Sequence, residues 1–192
     1  PASYSDFEHT DMVVLVGSNT AWCHPVLYQR IMKAKEERDL FVVVIDPRFT
    51  ATCEAADLHL PILPGQDVAL FNGLLQYLAT NHYTDTDFIA KHTQGLEQAL
   101  ASSASEASIA SVSERTGISV EKLALFFEKF AQTEKVMSLF SMGVNQSSRG
   151  VDKANSITKC PLLTGKIGKL GAAPFSMTGK PNATGGREGG GV

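Results

Sequence analysis

The sequence contains no apolar run near the roughly 20 residues that a membrane-spanning helix requires, and its first residues, PASYSDFEHTD, lack the basic and apolar pattern of a secretory signal. An excess of one charge is also missing, because 17 lysines and arginines stand against 20 aspartates and glutamates, spread without blocks of like charge. A membrane span and a basic surface for nucleic acid are therefore not expected. We expect a soluble, cytoplasmic protein that has neither membrane nor nucleic acid as a partner.

Cysteine is scarce as well. The three cysteines, Cys23, Cys53 and Cys160, are odd in number and far apart. This pattern gives neither a disulfide framework nor a C-x-x-C metal site, and we expect three separate reduced thiols. No residue of the chain is assigned as a metal ligand.

The 192 residues, 43% of them hydrophobic, are enough to bury a core for one domain, or for one domain with an appendage. The chain begins at Pro1 without a methionine and ends in GGGV. We expect it to be a piece of a longer polypeptide.

The stretch around which the chain is organised is residues 12–30, MVVLVGSNTAWCHPVLYQR. A continuous apolar run, Met12 to Val16, ends abruptly in residues 17–19 and is followed by helical spacing, which predicts strand, turn and helix. A continuous rather than alternating run is typical of a parallel strand that is covered on both faces. The first turn of the following helix would direct free N–H groups beyond the carboxyl end of the strand, where an anion could bind.

A second apolar strand, residues 41–45, follows at the distance of a crossover helix and ends at Asp46. An acidic residue at this position commonly accepts hydrogen bonds from a ribose hydroxyl or a base edge of a nucleotide. Residues 17–19 contain one glycine, however, and not the G-x-G-x-x-G pattern, which argues against a nicotinamide dinucleotide site. A third strand, residues 58–62, contains Pro61 and should lie towards a sheet edge.

Further along, the pattern predicts helices at residues 68–80, 85–90, 120–133 and 151–163, a helix plus an exposed loop within 93–113, and a strand at 136–140. Asp67 could cap the first of these helices or bind a ligand, but one carboxylate can scarcely do both. Ser119 is the predicted N-cap of the third. The exit of the 136–140 strand, residues 141–150, combines amides, hydroxyls and two glycines and is a second candidate functional loop.

Composition changes after residue 163, where glycines become frequent. A flexible linker would explain the glycines, but interleaved prolines favour an ordered loop that lies against a ligand. The fold prediction is therefore an α/β domain, a Rossmann-like parallel sheet flanked by helices, over residues 1–163, with a glycine-rich loop segment over residues 164–192.

Four segments carry a family resemblance: VGSNTAWCHPVL, VVVIDPRFTATCEAADLHLPILPGQDVAL, SMGVNQSSRGVDKANSI and LLTGKIGKLGAAPFSMTGKPNATGGRE. In this order and spacing they resemble the molybdopterin oxidoreductases of the dimethyl sulfoxide reductase group, and within that group the assimilatory nitrate reductases, with periplasmic nitrate reductases and formate dehydrogenases as relatives. The resemblance implies a Rossmann-like unit that holds one of two molybdopterin guanine dinucleotides bound to a single molybdenum. The predicted crevice and the cofactor of the family therefore coincide.

The resemblance also implies which residues contact the cofactor. The turn after the first strand would lie along the dinucleotide, the residues after the second strand would hold the guanosine end, and the segment before the 68–80 helix would complete that pocket. Two residues of the 141–150 loop would be cofactor contacts too. The implied cofactor-binding residues are Gly17, Ser18, Asn19, Thr20, Cys23, Asp46, Pro47, Arg48, Thr50, Gly65, Gln66, Asp67, Gly143 and Gln146.

By the same resemblance, Met142 would lie near the molybdenum, and Arg187 would attract nitrate in the substrate funnel. An arginine offers a planar fork of donors to a planar oxyanion. The parent enzyme would reduce nitrate to nitrite with electrons from a separate donor.

The 4Fe–4S cluster motif and the molybdenum-ligating cysteine of the family match nothing in this sequence, so both would lie in the remaining domains of the parent subunit. We therefore expect these 192 residues alone to be inactive. Two alternatives stay open from the sequence: a piece of a formate dehydrogenase, and a stand-alone nucleotide-binding module.

Overall fold

The computed structural model describes residues 3–177 of the chain. Arg187 and the part of the glycine-rich segment beyond Met177 lie outside the described residues.

A five-stranded parallel sheet forms the centre of the fold, with the strand order β3-β2-β1-β4-β5. The strands are β1 (Met12–Val16), β2 (Phe41–Ile45), β3 (Leu58–Leu60), β4 (Val136–Phe140) and β5 (Ala173–Ser176). Every residue of β1 and β4 is buried, as expected for strands that are covered on both faces. All five strands end at the same edge of the sheet, and we call this edge the carboxyl rim.

Helices cover both faces of the sheet. They are α1 (Thr20–Cys23), α2 (Pro25–Arg38), α3 (Asp67–Thr80), α4 (Thr86–His92), α5 (Leu96–Ser102), α6 (Ile109–Thr116), α7 (Val120–Gln132), α8 (Met142–Asn145) and α9 (Gly150–Leu163). Short 3₁₀ helices occupy Tyr4–Glu8, Ala51–Cys53 and Ala104–Glu106. None of the helices that the structure describes is long and apolar enough to cross a lipid bilayer.

Two hydrophobic cores result from the alternation of side chains along β1. Val14 and its neighbours of the same parity pack under α3, α6, α7 and α9, where Phe71, Phe126 and Phe127 are fully buried. Val13 and Leu15 face the other side and pack against α2 and the Tyr4–Glu8 turn. The larger core lies on the side of four helices, so α3 and α9 are rigidly placed above the sheet.

The predicted α/β fold with a parallel sheet is confirmed. Strands β1, β2 and β4 have the predicted bounds, Ser119 accepts a hydrogen bond from the Lys122 N–H as the predicted N-cap of α7, and β3 lies at the sheet edge as predicted. Residues 93–113 form two helices and a 3₁₀ turn rather than one helix and an exposed loop, and Val112 is fully buried against α3. The sequence did not predict β5, which lies within the glycine-rich segment and pairs with β4.

Candidate functional site at the carboxyl rim

The order in which the strands are added to the sheet changes direction, and the switch point lies between the neighbouring strands β1 and β4. From β1 the chain proceeds to β2 and β3 on one side, and it then returns to place β4 and β5 on the other. In open α/β sheets, ligands bind beyond the carboxyl ends of the strands at this switch point. The two candidate loops predicted from the sequence, residues 17–19 and 141–150, follow these two strands.

The two loops touch through their backbones. The Gly143 N–H donates to the Gly17 carbonyl oxygen at 3.0 Å, and the Ser141 N–H donates to the Val16 carbonyl oxygen at 3.4 Å. A Cβ atom added at Gly17 would lie 2.9 Å from the Gly143 backbone, and Gly17 also has a φ of +56°, which favours glycine. The close approach therefore requires both glycines and joins the two loops into one floor.

The turn after β1 uses its hydroxyl side chains internally. Ser18 and Thr20 are buried, and their hydroxyl oxygens lie 3.0 Å apart. One of the two hydroxyls therefore donates to the other, and both side chains are largely shielded from solvent. Cys23, at the end of α1, is exposed.

The half-buried Asn19 occupies the N-cap position of α1, and its carbonyl oxygen accepts from the N–H groups of Trp22 and Cys23. Its side chain does not cap the helix. Instead, the Asn19 Oδ1 atom accepts a hydrogen bond of 2.9 Å from the Thr52 hydroxyl, which in turn accepts from the Ala21 N–H at 3.1 Å. Thr52 therefore ties the loop after β2 to the turn after β1.

The loop after β2 is shaped by the buried Asp46. Its Oδ1 atom accepts from the Arg48 N–H at 2.9 Å, while among residues 3–177 the Oδ2 atom has no recorded hydrogen-bond partner. The His59 ring bonds to the Asp46 carbonyl oxygen at 2.9 Å and thereby connects this loop to β3. Pro47 and Arg48 are exposed, and Thr50 is buried with its hydroxyl 3.6 Å from Cys53 Sγ.

The segment before α3 corrects one prediction. Asp67 is the first residue of α3, Gln66 occupies the N-cap position, and no side chain makes a capping hydrogen bond. The Asp67 carboxylate instead forms a buried ion pair of 2.8 Å with Lys153 of α9. The pair forms because the two helix starts meet above the carboxyl rim. Next to it, Gly65 has a φ of +86°, and nothing lies within 4 Å of where its Cβ would be.

The predicted loop at residues 141–150 contains one helical turn, α8, which begins at Met142. The Met142 side chain is 39% exposed, Gly143 and Gln146 are exposed, and Val144 anchors the turn in the core. Met142 and Gln146 are thus presented at the surface of the carboxyl rim. Arg187, the other predicted catalytic residue, lies outside the described residues.

Two contacts join the predicted loops directly, Gly17 with Gly143 and Asn19 with Thr52. Asp46 bonds instead to His59 of β3, and Asp67 pairs with Lys153 of α9. Sequence reasoning missed Thr52 and Lys153. Nothing local marks Lys153, and each of the two residues acquires its role from a contact with a distant part of the chain. The small polar composition around Thr52 was the available signal.

The arrangement suits a nucleotide. Asp46 Oδ2 is an acceptor without a recorded partner among the described residues, and it fits a ribose hydroxyl or the N–H groups of guanine. The exposed Arg48 forms none of the ion pairs recorded within residues 3–177, and open space above Gly65 leaves room for a bulky group. Within the same residues, no group of three metal-ligating side chains is found. The arrangement at the rim therefore suits an anionic nucleotide.

Known proteins with similar sequences are longer than this chain. A nitrate reductase of Shewanella frigidimarina is 47% identical over all of this chain, which spans 21% of that protein. A nitrate reductase of Klebsiella oxytoca is 46% identical over all of this chain, which spans 22% of that protein. An F420-dependent formate dehydrogenase subunit of Methanococcus maripaludis is 32% identical over 95% of this chain and 27% of its own length.

The fold is also found in a solved structure, acetylene hydratase from Pelobacter acetylenicus. It superposes with a TM-score of 0.76 at 22% identity, over 89% of this chain and 23% of that one. Residues 2–191 match the molybdopterin oxidoreductase family. The chain therefore belongs to the molybdopterin oxidoreductases, a family whose cofactor is a molybdenum-pterin group.

Proposed function

We propose that the carboxyl rim holds a molybdopterin guanine dinucleotide and that the chain is the cofactor-binding part of a molybdenum nitrate reductase, which reduces nitrate to nitrite. The observation that carries the cofactor proposal is the junction of the loops after β1, β2 and β4 at the switch point of the sheet. When bound, the molybdenum-pterin group supplies the two-electron chemistry, and the protein binds and orients it.

Different residues of the rim contact different parts of the dinucleotide in this proposal. Backbone groups of residues 17–20 and the Asn19 side chain serve the pyrophosphate, because N–H donors suit phosphate oxygens. Asp46 accepts from the guanosine, and Pro47, Arg48 and Thr50 line the same end, with Gly65, Gln66 and Asp67 closing the pocket. Cys23, at the end of the turn after β1, lies along the dinucleotide, and Gly143 and Gln146 flank the pterin side.

Nitrate as the substrate is supported by the higher identity to nitrate reductases, 46–47%, than to formate dehydrogenase, 32%. Met142 would sit near the reacting centre and Arg187 would attract the anion. Formate oxidation is the second candidate, and the identity of 32% over nearly the whole chain is the observation in its favour.

The chain spans 21–22% of these two nitrate reductases, so most of such an enzyme would lie in other domains. We propose that those domains carry a 4Fe–4S cluster, the molybdenum ligand, most contacts to a second guanine dinucleotide, and the contact with an electron donor. On this proposal the 192 residues alone are inactive, and the enzyme works in the cytoplasm.

The test uses the full polypeptide that contains these residues, purified with its cofactor. We expect molybdenum and acid-released GMP in a ratio of one to two. Nitrate should be reduced with a reduced viologen dye as electron donor, and formate should not be oxidised with an oxidised viologen dye as electron acceptor. GMP-free protein would overturn the guanine dinucleotide proposal, and turnover of formate alone would overturn the nitrate proposal. Nitrate turnover by the isolated chain would overturn its expected inactivity.

A further inference from the structure

The hydroxyl of Thr52 accepts the hydrogen bond that an N-cap side chain normally accepts. An asparagine at an N-cap usually accepts a hydrogen bond from an N–H of the first helical turn. In this chain Asn19 is at the N-cap of α1, but the Ala21 N–H goes to the Thr52 hydroxyl oxygen at 3.1 Å. The Asn19 side chain is thereby released from capping.

The same hydroxyl fixes which way the Asn19 amide faces. A threonine hydroxyl has a single hydrogen, and since Thr52 accepts from Ala21, this hydrogen is free to go to Asn19 Oδ1 at 2.9 Å. The oxygen of the amide is therefore committed to Thr52, and the Nδ2 atom carries the two remaining donors. Among residues 3–177 no acceptor for Nδ2 is recorded, and Asn19 is only half-buried.

Thr52 itself is fully buried, so it cannot contact a ligand at the rim. It is held by the Ala51–Cys53 turn, in which the Cys53 N–H donates to the Thr50 carbonyl oxygen at 2.8 Å. The hydroxyl is therefore held by a hydrogen-bonded turn in the loop after β2, and it fixes the orientation of the amide donor in the turn after β1.

We infer that Thr52 is a positioning residue: its buried hydroxyl orients the Asn19 amide so that Nδ2 donates to a phosphate oxygen of the bound dinucleotide. The inference rests on the proposed guanine dinucleotide site. The orientation of the Asn19 amide would favour phosphate binding, because an amide with its oxygen directed outward would repel the anion.

The test measures the affinities of two ligands, GDP and guanosine, for the full polypeptide. The polypeptide is produced without cofactor in a host that cannot make the pterin. GDP carries the guanosine and the diphosphate, whereas guanosine lacks the phosphates. Calorimetric titration of each ligand separates the phosphate contact from recognition of the base. The variants are Thr52→Val, which removes both hydrogen bonds at nearly constant shape, Thr52→Ser, which keeps the hydroxyl, and Asn19→Asp, which replaces the donors with an oxygen.

The matched control is Thr10→Val. Thr10 is also fully buried, and its hydroxyl donates to the Met12 and Lys135 carbonyl oxygens, each at 3.0 Å, but it lies at the opposite edge of the sheet. This control reports what the loss of a buried threonine hydroxyl does to ligand affinity through stability alone.

We expect GDP affinity to fall roughly ten-fold in Thr52→Val and at least as much in Asn19→Asp, since a hydrogen bond to a charged group is lost in both. Thr52→Ser and Thr10→Val should keep the wild-type affinity, and guanosine affinity should change in none of them. Wild-type GDP affinity in Thr52→Val would overturn the inference, whatever the affinity of Asn19→Asp. If Thr52→Val does not fold, Thr52→Ala, which also lacks the hydroxyl, takes its place, whereas failure of the wild type to bind either ligand would count against the proposed site itself.

Discussion

The backbones of Gly17 and Gly143 meet at the carboxyl rim with no space for a side chain between them. The Gly143 N–H donates to the Gly17 carbonyl oxygen at 3.0 Å, and a Cβ at Gly143 would lie 2.7 Å from that oxygen. The loops after β1 and β4 therefore form one surface, and the site depends on this contact.

Replacing Gly143 by alanine should separate the two loops. The added methyl group would collide with backbone rather than with a flexible side chain, so we expect a loss of about 1–3 kcal/mol in the free energy of unfolding. Urea denaturation followed by circular dichroism measures it. Asn145→Ala, an exposed position in the same turn, is the control and should be close to neutral. A Gly143→Ala variant as stable as this control would show that the contact is not tight.

The buried pair Asp67–Lys153 should be sensitive to the loss of one partner. Both side chains are about 90% buried, so Lys153→Met leaves a carboxylate without its counter-charge. Such a change typically costs about 3–5 kcal/mol, and urea denaturation should show a loss of this order.

The double variant Asp67→Asn/Lys153→Met should recover part of that loss, because the unpaired charge is gone. Lys33→Met removes one partner of the exposed Lys33–Glu37 pair and should have no measurable effect. A loss in Lys153→Met no larger than in Lys33→Met would contradict a structural role of the buried pair.

The thiols should differ in reactivity. Cys23 is exposed, Cys53 and Cys160 are buried, and burial raises the pKa of the Cys160 thiol well above its usual range. Because the thiolate is the reactive form, an aromatic disulfide reagent at pH 8 should modify one thiol rapidly and the other two only after unfolding. Cys23→Ser should abolish the rapid phase. Rapid modification of more than one thiol would mean that the interior opens readily.

Lys166 should make stability depend on pH. Its Nζ donates to the Phe130 and Ala131 carbonyl oxygens at the end of α7, and burial lowers its pKa to about 8 from an ordinary 10.5. Between these values the unfolded chain binds more protons than the folded one, so the free energy of unfolding rises with pH across this window.

The measurement is the difference in unfolding free energy between wild type and Lys166→Met at pH 7.5 and pH 10. We expect the unfolding free energy of the wild type to increase relative to that of the variant as the pH rises, by at most about 3 kcal/mol. The difference cancels the titration of other groups that both proteins share. A constant difference would show that the amine has an ordinary pKa in the folded chain.

The central strands of the sheet were predictable because they are continuous runs of β-branched and other apolar residues. Such runs are typical of parallel strands that are buried on both faces. Strand β3 is shorter than the predicted 58–62, in keeping with the position of Pro61, which lacks an N–H for the ladder. Strand β5 was not predictable in this way, since Pro174 and the flanking glycines are atypical of strands, and its pairing with β4 decides its conformation.

The site was predictable where a loop follows a strand, and not where loops meet. Asp46 and residues 17–19 could be placed at one rim from strand order alone. The partners of Asn19 and Asp67 could not, because Thr52 lies 33 residues from Asn19 and Lys153 is on another helix. Local rules left Asp67 either as a helix cap or as a ligand contact, but its carboxylate forms an ion pair with the distant Lys153 instead of a cap.

We propose that the four loops of the carboxyl rim bind the guanine dinucleotide. Hydrogen exchange of the full polypeptide, compared between cofactor-loaded and cofactor-free forms, tests it most directly. We expect slower hydrogen exchange in the cofactor-loaded form in the peptides that cover residues 17–23, 46–52, 65–67 and 141–146. Exchange at the opposite edge, around Thr10 and Lys135, should change little. Protection confined to other parts of the chain, with these four peptides unchanged, would contradict it.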